Sequence, residues 1–168
     1  MLFRSYYVTR NDSSLIAFTI PEHPFQGMRI MASHSDSPSF KIKENPEMES
    51  EGHYIRLNVE RYGGMLFAPW FDRPLSVAGR VIVKDPSTDG KPSACFLSKL
   101  VNIDRDLLMI PNLAIHMDRD ANNGHKYNAQ KDMLPLYGDL TAKNTFFQTI
   151  AEAANVTEDD ILDRKSVV

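Results

Sequence analysis

A histidine and an aspartate that stand two residues apart could form part of a metal site. His34 and Asp36 follow an apolar run in the segment MRIMASHSDSPSFKIK. In a strand, side chains at positions i and i+2 point to the same side, so the two groups could converge where the strand ends. A histidine that binds zinc is usually oriented by a carboxylate or carbonyl on its other nitrogen. Alternatively, the same residues could cap the strand and its turn through bonds to the local backbone.

A second histidine, His116, lies in the segment IPNLAIHMDRDAN. It follows an apolar run and precedes Asp118, Arg119 and Asp120. This position suits a metal ligand, a substrate contact or a hydrogen-bonded core residue, and spacing alone does not choose between these roles. Three further histidines lie in polar surroundings and are predicted to be solvated, namely His23, His53 and His125.

An aromatic segment, RYGGMLFAPWFDRPLSVAGRV, lies between these two histidine motifs. Its glycine pair, Gly63 and Gly64, permits backbone angles closed to other residues and predicts a tight bend. A phosphate-binding loop is not indicated, because no Lys-Ser or Lys-Thr pair follows the glycines. We therefore interpret the segment as a structural turn or interface that packs an aromatic residue against a neighbour.

The sequence motifs do not supply the other ligands of a metal site. A catalytic zinc needs three protein ligands and an open position, and a two-metal hydrolase needs more. The sequence contains no HExxH motif and no Glu-Glu pair. Cys95 is the single cysteine, which excludes an intrachain disulfide and a zinc site built from cysteines, and its apolar surroundings predict a buried thiol. His34 and Asp36 would thus be an incomplete metal site.

The composition predicts an ordinary globular protein. Of its 168 residues, 42% are apolar and 24% are charged, and the net charge is −3. Because the basic residues are dispersed, neither nucleic acid nor a membrane is predicted as a partner. The N-terminal residues lack the apolar core of a signal peptide, and no apolar run approaches the length of a membrane span. A cytoplasmic location is therefore the default expectation.

Strand patterns dominate the earlier part of the chain, and a helix follows them. SYYVT and LIAFTI predict a hairpin, MRIMASH a strand buried on both faces, and HYIRLNVERYGG, LSVAGRVIVKD and ACFLSKLVNI further strands. TAKNTFFQTIAEAANV has apolar residues at helical spacing, with Thr141 as its N-cap. Thr157 and Asp160 have the spacing of a capping box and indicate the start of another element, after which DRKSVV is polar.

Five segments, taken together and in order, resemble the N-terminal part of the aspartyl aminopeptidases, a family of dinuclear zinc exopeptidases. They are YYVTRNDSSLIAF, ASHSDSPSFKIK, ERYGGMLFAPWFDRPLSVAGRVIV, IPNLAIHMDRDAN and DMLPLYGD. The resemblance implies a mixed α/β fold. In it, the N-terminal strands of a phosphopeptidase-like catalytic domain (residues 1–43) are followed by a β-rich inserted dimerisation domain with a C-terminal helix (residues 44–168).

The resemblance also implies roles for three residues. His34 matches the first zinc ligand of the family, and Asp36 matches the catalytic carboxylate that orients this ligand or tunes the metal. His116 matches a histidine of the dimerisation domain that enters a neighbouring subunit's active site and helps to bind the substrate. Family members hold two zinc ions, form homo-oligomers built from dimers, commonly dodecamers, and remove N-terminal residues, often acidic ones, from peptides.

One departure from the family changes the expectation for this chain. The remaining metal ligands and the glutamate that serves as general base lie C-terminal to the positions matched here. We therefore expect a fragment, incomplete at the C-terminal end of the inserted domain and without peptidase activity on its own. An alternative function is a non-catalytic module for self-association or regulation, derived from the dimerisation domain.

Overall fold

The computed structural model describes residues 4–11, 13–85, 87 and 95–168, and the chain divides into two compact units, residues 1–36 and 37–168. The first unit contains a β-hairpin. Strand β1 (Arg4–Arg10) pairs antiparallel with β2 (Ser14–Ile20), as the sequence predicts. Tyr6 and Phe18 stack across the hairpin with their ring centroids 5.5 Å apart. Every residue of both strands is exposed, so the hairpin is stabilised by its ladder and its cross-strand pairs rather than by a core.

The prediction of a buried strand at residues 28–34 is wrong. These residues form neither helix nor strand, and Met28, Ile30 and Met31 are 78%, 82% and 97% exposed. A strand is stabilised by ladder bonds to its neighbours and by burial of its side chains. Within the described residues no strand pairs with this segment. Its apolar side chains therefore remain exposed.

The second unit is built on a six-stranded antiparallel sheet. Its strands are β3 (Ser39–Ser50), β4 (Tyr54–Tyr62), β5 (Ala78–Lys84), β6 (Phe96–Asn102), β7 (Leu136–Asp139) and β8 (Ile161–Val167). Their spatial order is β6-β5-β8-β3-β4-β7. The sequence patterns predicted β4, β5 and β6 correctly, and they did not predict β3, β7 and β8.

Strand β8 lies in the middle of this sheet although its sequence is largely polar. It pairs with β5 along its length, with Val167 opposite Ala78. On its other side it pairs with β3, where Val167 lies opposite Lys41. The capping box predicted just before it is present: the Thr157 amide donates to Asp160 Oδ2 over 3.2 Å, and the Asp160 amide donates to the Thr157 side chain. It closes a short 3₁₀ turn that leads into β8.

The predicted helix is present as α1 (Phe146–Ala154), but its N-cap is Thr145 and not Thr141. The Thr141 amide and hydroxyl both donate to Asp139 Oδ1, which ties Thr141 into a separate 3₁₀ turn. Asn155, in the left-handed conformation, ends the helix. The buried face of α1 consists of Phe146, Ile150, Ala151 and Ala154. No helix in the described residues is long and apolar enough to cross a bilayer.

An apolar core connects the sheet, α1 and the aromatic segment. Trp70 packs edge-on against the fully buried Phe40 with ring centroids 4.9 Å apart, which agrees with a structural role for that segment. Gly63 has φ 79 and makes the predicted bend. Cys95, by contrast, is exposed, so the expectation of a buried thiol is wrong. Other core residues are Ile42, Leu57, Val59, Val81, Val83, Val101, Ile110, Met133 and Phe146.

Candidate metal and substrate-binding residues

His34 and Asp36 lie together at the end of the first unit. His34 Nδ1 is 3.0 Å from Asp36 Oδ1 and 3.1 Å from the Asp36 carbonyl oxygen. Their side chains are 84% and 54% exposed. These residues form neither helix nor strand, so the contact does not arise from the alternation of a strand.

This arrangement leaves one imidazole nitrogen available for a metal. In the tautomer whose Nδ1–H donates to the Asp36 carboxylate, Nε2 keeps its lone pair and faces away from that bond. A histidine that binds zinc commonly donates its other N–H to a carboxylate, which fixes the ring and makes the ligand more basic. The observed pair therefore fits one zinc ligand together with its orienting carboxylate.

The rest of a metal site is not found among the described residues. No group of three or more His, Cys, Asp or Glu side chains there is placed to hold a metal ion. Because zinc sites have at least three protein ligands, the described part of the chain does not contain a complete site.

His116 lies in an exposed turn of the second unit, which contradicts the core role among its three possible roles. The turn is closed by the Met117 amide, which donates to the Ala114 carbonyl over 2.8 Å. Within the described residues, no hydrogen bond, ion pair or ring contact involves the His116 side chain. Its large apolar neighbours Leu113, Ile115 and Met117 are also exposed. The imidazole is thus free to contact another molecule.

His125 was predicted to be solvated, but it is engaged on two sides. Its Nδ1 lies 2.7 Å from Asp118 Oδ2, and its ring lies 4.7 Å from the ring of Tyr127. The side chain exposes 31% of its surface and that of Asp118 exposes 24%. The two residues are seven positions apart, and no spacing rule pointed to their contact.

An open cavity of about 730 Å³ lies in the second unit beside these residues. Asp118 and His125 line it, together with Arg56 from β4 and Lys131. The Arg56 guanidinium donates to the Leu134 carbonyl from Nε over 3.1 Å and from a terminal nitrogen over 2.9 Å. Burial lowers the pKa of Arg56, and the nearby Asp132 carboxylate opposes that shift. No sequence pattern predicts the contact of Arg56 with Leu134, because the two residues are far apart in the chain.

Comparison with known proteins assigns the chain to a family of metallopeptidases. Residues 3–165 match the model of the family described as "Aminopeptidase I zinc metalloprotease (M18)". The chain therefore belongs to the M18 aminopeptidase family, and the resemblance noted in its sequence is confirmed at the level of the family.

Curated relatives carry the same family name. A protein of Clostridium acetobutylicum, "Probable M18 family aminopeptidase 2", is 48% identical over 164 residues, which cover 94% of this chain and 37% of the relative. A protein of the same name from Clostridium novyi is 45% identical over 166 residues, 95% of this chain and 37% of the relative. The chain thus spans 37% of the length of these two relatives.

Solved structures of aminopeptidases share the fold. The structure entitled "Cryo-EM structure of the Ape4 and Nbr1 complex" matches with TM-score 0.83 and 34% identity, covering 97% of this chain and 34% of that one. The Chaetomium thermophilum mApe1 structure matches with TM-score 0.81 and 32% identity, covering 97% and 39%. These matches confirm the predicted mixed α/β fold.

Proposed function

We propose that this chain is part of a zinc-dependent aminopeptidase in which His34 is a metal ligand and Asp36 orients it. The observation that carries the proposal is the 3.0 Å contact between His34 Nδ1 and Asp36 Oδ1 in a chain of the M18 family. Peptides with a free N-terminus are the proposed substrates, and acidic N-terminal residues the proposed preference. The proposed complement is two zinc ions, and cytoplasmic localisation belongs to the same proposal.

Zinc, when bound, would polarise the scissile carbonyl and make a bound water a stronger acid. His34 would contribute Nε2 as one ligand, and Asp36 would hold the ring through Nδ1–H and raise the basicity of Nε2. His116 would donate a hydrogen bond to the carbonyl oxygen of the peptide as negative charge develops there. Its exposed turn supports this role, because the ring has no contact of its own within the described residues.

We propose that residues 1–43 belong to the catalytic domain and residues 44–168 to the inserted dimerisation domain, with β3 as the strand in which one passes into the other. His116 would act in the active site of a neighbouring subunit, so a homo-oligomer built from dimers would be the functional unit. The exposed apolar side chains around His116 support a contact with another protein surface.

A second candidate function is non-catalytic self-association or regulation through the second unit. The exposed Leu113, Ile115 and Met117 favour it, because they form an apolar surface without needing a metal. Under this hypothesis the chain forms a defined oligomer that binds no zinc. Under either hypothesis we expect no peptidase activity from the chain alone, because one ligand does not make a catalytic zinc site.

Zinc titration of the purified chain tests the metal proposal. We expect weak binding by isothermal titration calorimetry that is lost in His34→Ala and retained in the matched control His23→Ala, whose histidine is also exposed. Co²⁺ should broaden the ring signals of His34 in NMR spectra. Equal zinc affinity in wild type and His34→Ala would show that His34 is not a ligand.

Hydrolysis of reporter peptides with N-terminal Asp, Glu or Leu tests the activity. Wild type and His34→Ala, prepared identically with added zinc, should give the same background rate. Turnover that disappears in His34→Ala would contradict the expected inactivity, because it would require a complete site within this chain.

A further inference from the structure

The segment that carries His116 is fixed at its N-terminal end by the aromatic segment. The Asn112 amide donates to Asp72 Oδ1 over 2.9 Å, and the Asp72 amide donates to the Ile110 carbonyl over 3.0 Å. Asp72 has φ 54, a left-handed conformation that aspartate tolerates better than most residues. The chain therefore leaves the core at a defined position just before the His116 turn.

A second attachment lies on the other side of His116. His125 Nδ1 and Asp118 Oδ2 are 2.7 Å apart, and Asp118 Oδ1 also accepts the Asp120 amide over 3.2 Å. The His125 ring lies 4.7 Å from Tyr127, and the Tyr127 ring lies 4.9 Å from Phe71. Through these rings, Asp118 is connected to the aromatic segment and hence to the core.

The turn at residues 114–118 is stabilised by few hydrogen bonds of its own. Only the Met117 and Asp118 amides, which both donate to the Ala114 carbonyl, close it within the described residues. Both bonds are exposed to water, where a single hydrogen bond contributes little net stability. The direction in which the turn presents His116 thus depends on the attachments at Asp72 and at Asp118.

We propose that Asp118 and His125 are positioning residues that hold the turn carrying His116 in a fixed orientation. In this arrangement the His125 ring donates Nδ1–H to the Asp118 carboxylate, a charge-assisted bond that is stronger than a bond between neutral groups. A turn held in place presents the His116 imidazole without the entropic cost of ordering it when substrate binds. The benefit to substrate binding rests on the proposed function of His116, whereas the positioning does not.

Hydrogen exchange and NMR on the 168-residue chain test this inference. In His125→Leu, which removes the donor, exchange of the hydrogen-bonded Met117 and Asp118 amides should accelerate about tenfold, the change expected for loss of one charge-assisted hydrogen bond. His125→Asn retains an N–H donor and should restore exchange towards the wild-type rate. His23→Leu, a control at another exposed histidine, should leave these amides unchanged.

A spectroscopic signature of the wild type completes the test and does not depend on any variant folding. The ¹⁵N signals of the His125 ring should show a proton on Nδ1. A proton on Nε2 alone, or unchanged exchange of the Met117 and Asp118 amides in His125→Leu, would overturn the inference. Neither readout involves zinc or peptide, so failure of the proposed aminopeptidase function would appear separately, in the zinc titration.

Discussion

Arg56 connects β4 to the segment that precedes β7 through its guanidinium group. It donates to the Leu134 carbonyl from two nitrogens and to the Lys131 carbonyl over 3.2 Å. Burial lowers the pKa of this guanidinium, while the Asp132 carboxylate raises it, and the group stays protonated at neutral pH. The residue therefore contributes by satisfying backbone carbonyls that would otherwise lose their partner.

We expect Arg56→Lys to reduce the free energy of unfolding by about 1–3 kcal/mol, because a single ammonium group cannot reproduce the planar donors that contact both carbonyls. Urea denaturation at neutral pH measures the change. The control Arg105→Lys alters an exposed arginine of the same unit and should change the stability little. Equal effects in the two variants would contradict the role assigned to Arg56.

For individual side chains, the sequence predicted the contacts that form between residues close together in the chain. The contact between His34 and Asp36 could be predicted, because the residues are two positions apart and a turn suffices to join them. The exposure of His116 and the contact of Arg56 with Leu134 could not be predicted. The exposure and the contact both depend on how segments far apart in the chain pack together, and this packing cannot be predicted from a local sequence pattern.

Helix α1 begins at a carboxylate that comes from a different strand. Glu47, on the irregular part of β3, accepts the Phe146 amide at Oε1 over 2.8 Å and the Asn144 amide at Oε2. The Phe146 amide is among the donors that a helix N-terminus leaves without partners, and a negative charge is favourable there. Glu47 thus serves as the cap that the sequence analysis assigned to Thr141.

Glu47→Gln should lower the free energy of unfolding by about 0.5–2 kcal/mol, because the amide loses the charge and turns a donor towards the Asn144 amide. Chemical denaturation monitored by circular dichroism measures the effect. Glu44→Gln is the matched control in the same strand, since Glu44 is exposed and has no partner within the described residues. A loss as large in Glu44→Gln would show that net charge, and not capping, determines the effect.

The capping box before β8 makes stability depend on pH in a defined direction. Hydrogen bonds from the Thr157 hydroxyl and amide lower the pKa of Asp160, Lys84 and Lys99 lower it further, and desolvation opposes the shift. A carboxyl whose pKa is lower in the folded state stabilises the fold above its unfolded pKa of about 3.9 and loses that contribution as the pH falls through its folded pKa.

The melting temperature of wild type should therefore exceed that of Asp160→Asn at neutral pH, and the difference should shrink as the pH falls below about 4. Scanning calorimetry across this range measures it. Asp159→Asn, which changes an adjacent exposed carboxylate without a partner in the described residues, should show no such dependence. A difference that stays constant with pH would rule out the ionised Asp160 as its source.

On the scale of the whole molecule, the exposed apolar side chains of the hairpin should govern behaviour in solution. Val8 lies opposite Ile16, and both are exposed. We expect the wild-type chain to associate and the double variant Val8→Thr, Ile16→Thr to associate less, because threonine keeps strand propensity while removing apolar surface. Multi-angle light scattering measures both, and Thr19→Ser is the control. A monodisperse wild-type monomer would contradict this expectation.

The predictability of the larger elements follows their periodicity. Helix α1 shows apolar residues at helical spacing and was predicted, although not its cap. Strand β8 has the sequence ILDRKSV, in which apolar and polar residues hardly alternate. It lies between β5 and β3 and is held there by backbone hydrogen bonds to these strands. The segment at residues 28–34 has the opposite character, with a clear apolar pattern and no partner strand in the described chain.

The position of β8 has a consequence for the order of folding. The β3–β4 and β5–β6 pairs join segments close in sequence and can form early, each on its own. The sheet becomes continuous only when β8 enters between β5 and β3, and its partners there precede it by many tens of residues. Closing such long loops is slow, so we expect the docking of β8 to be a late step in the folding of the second unit.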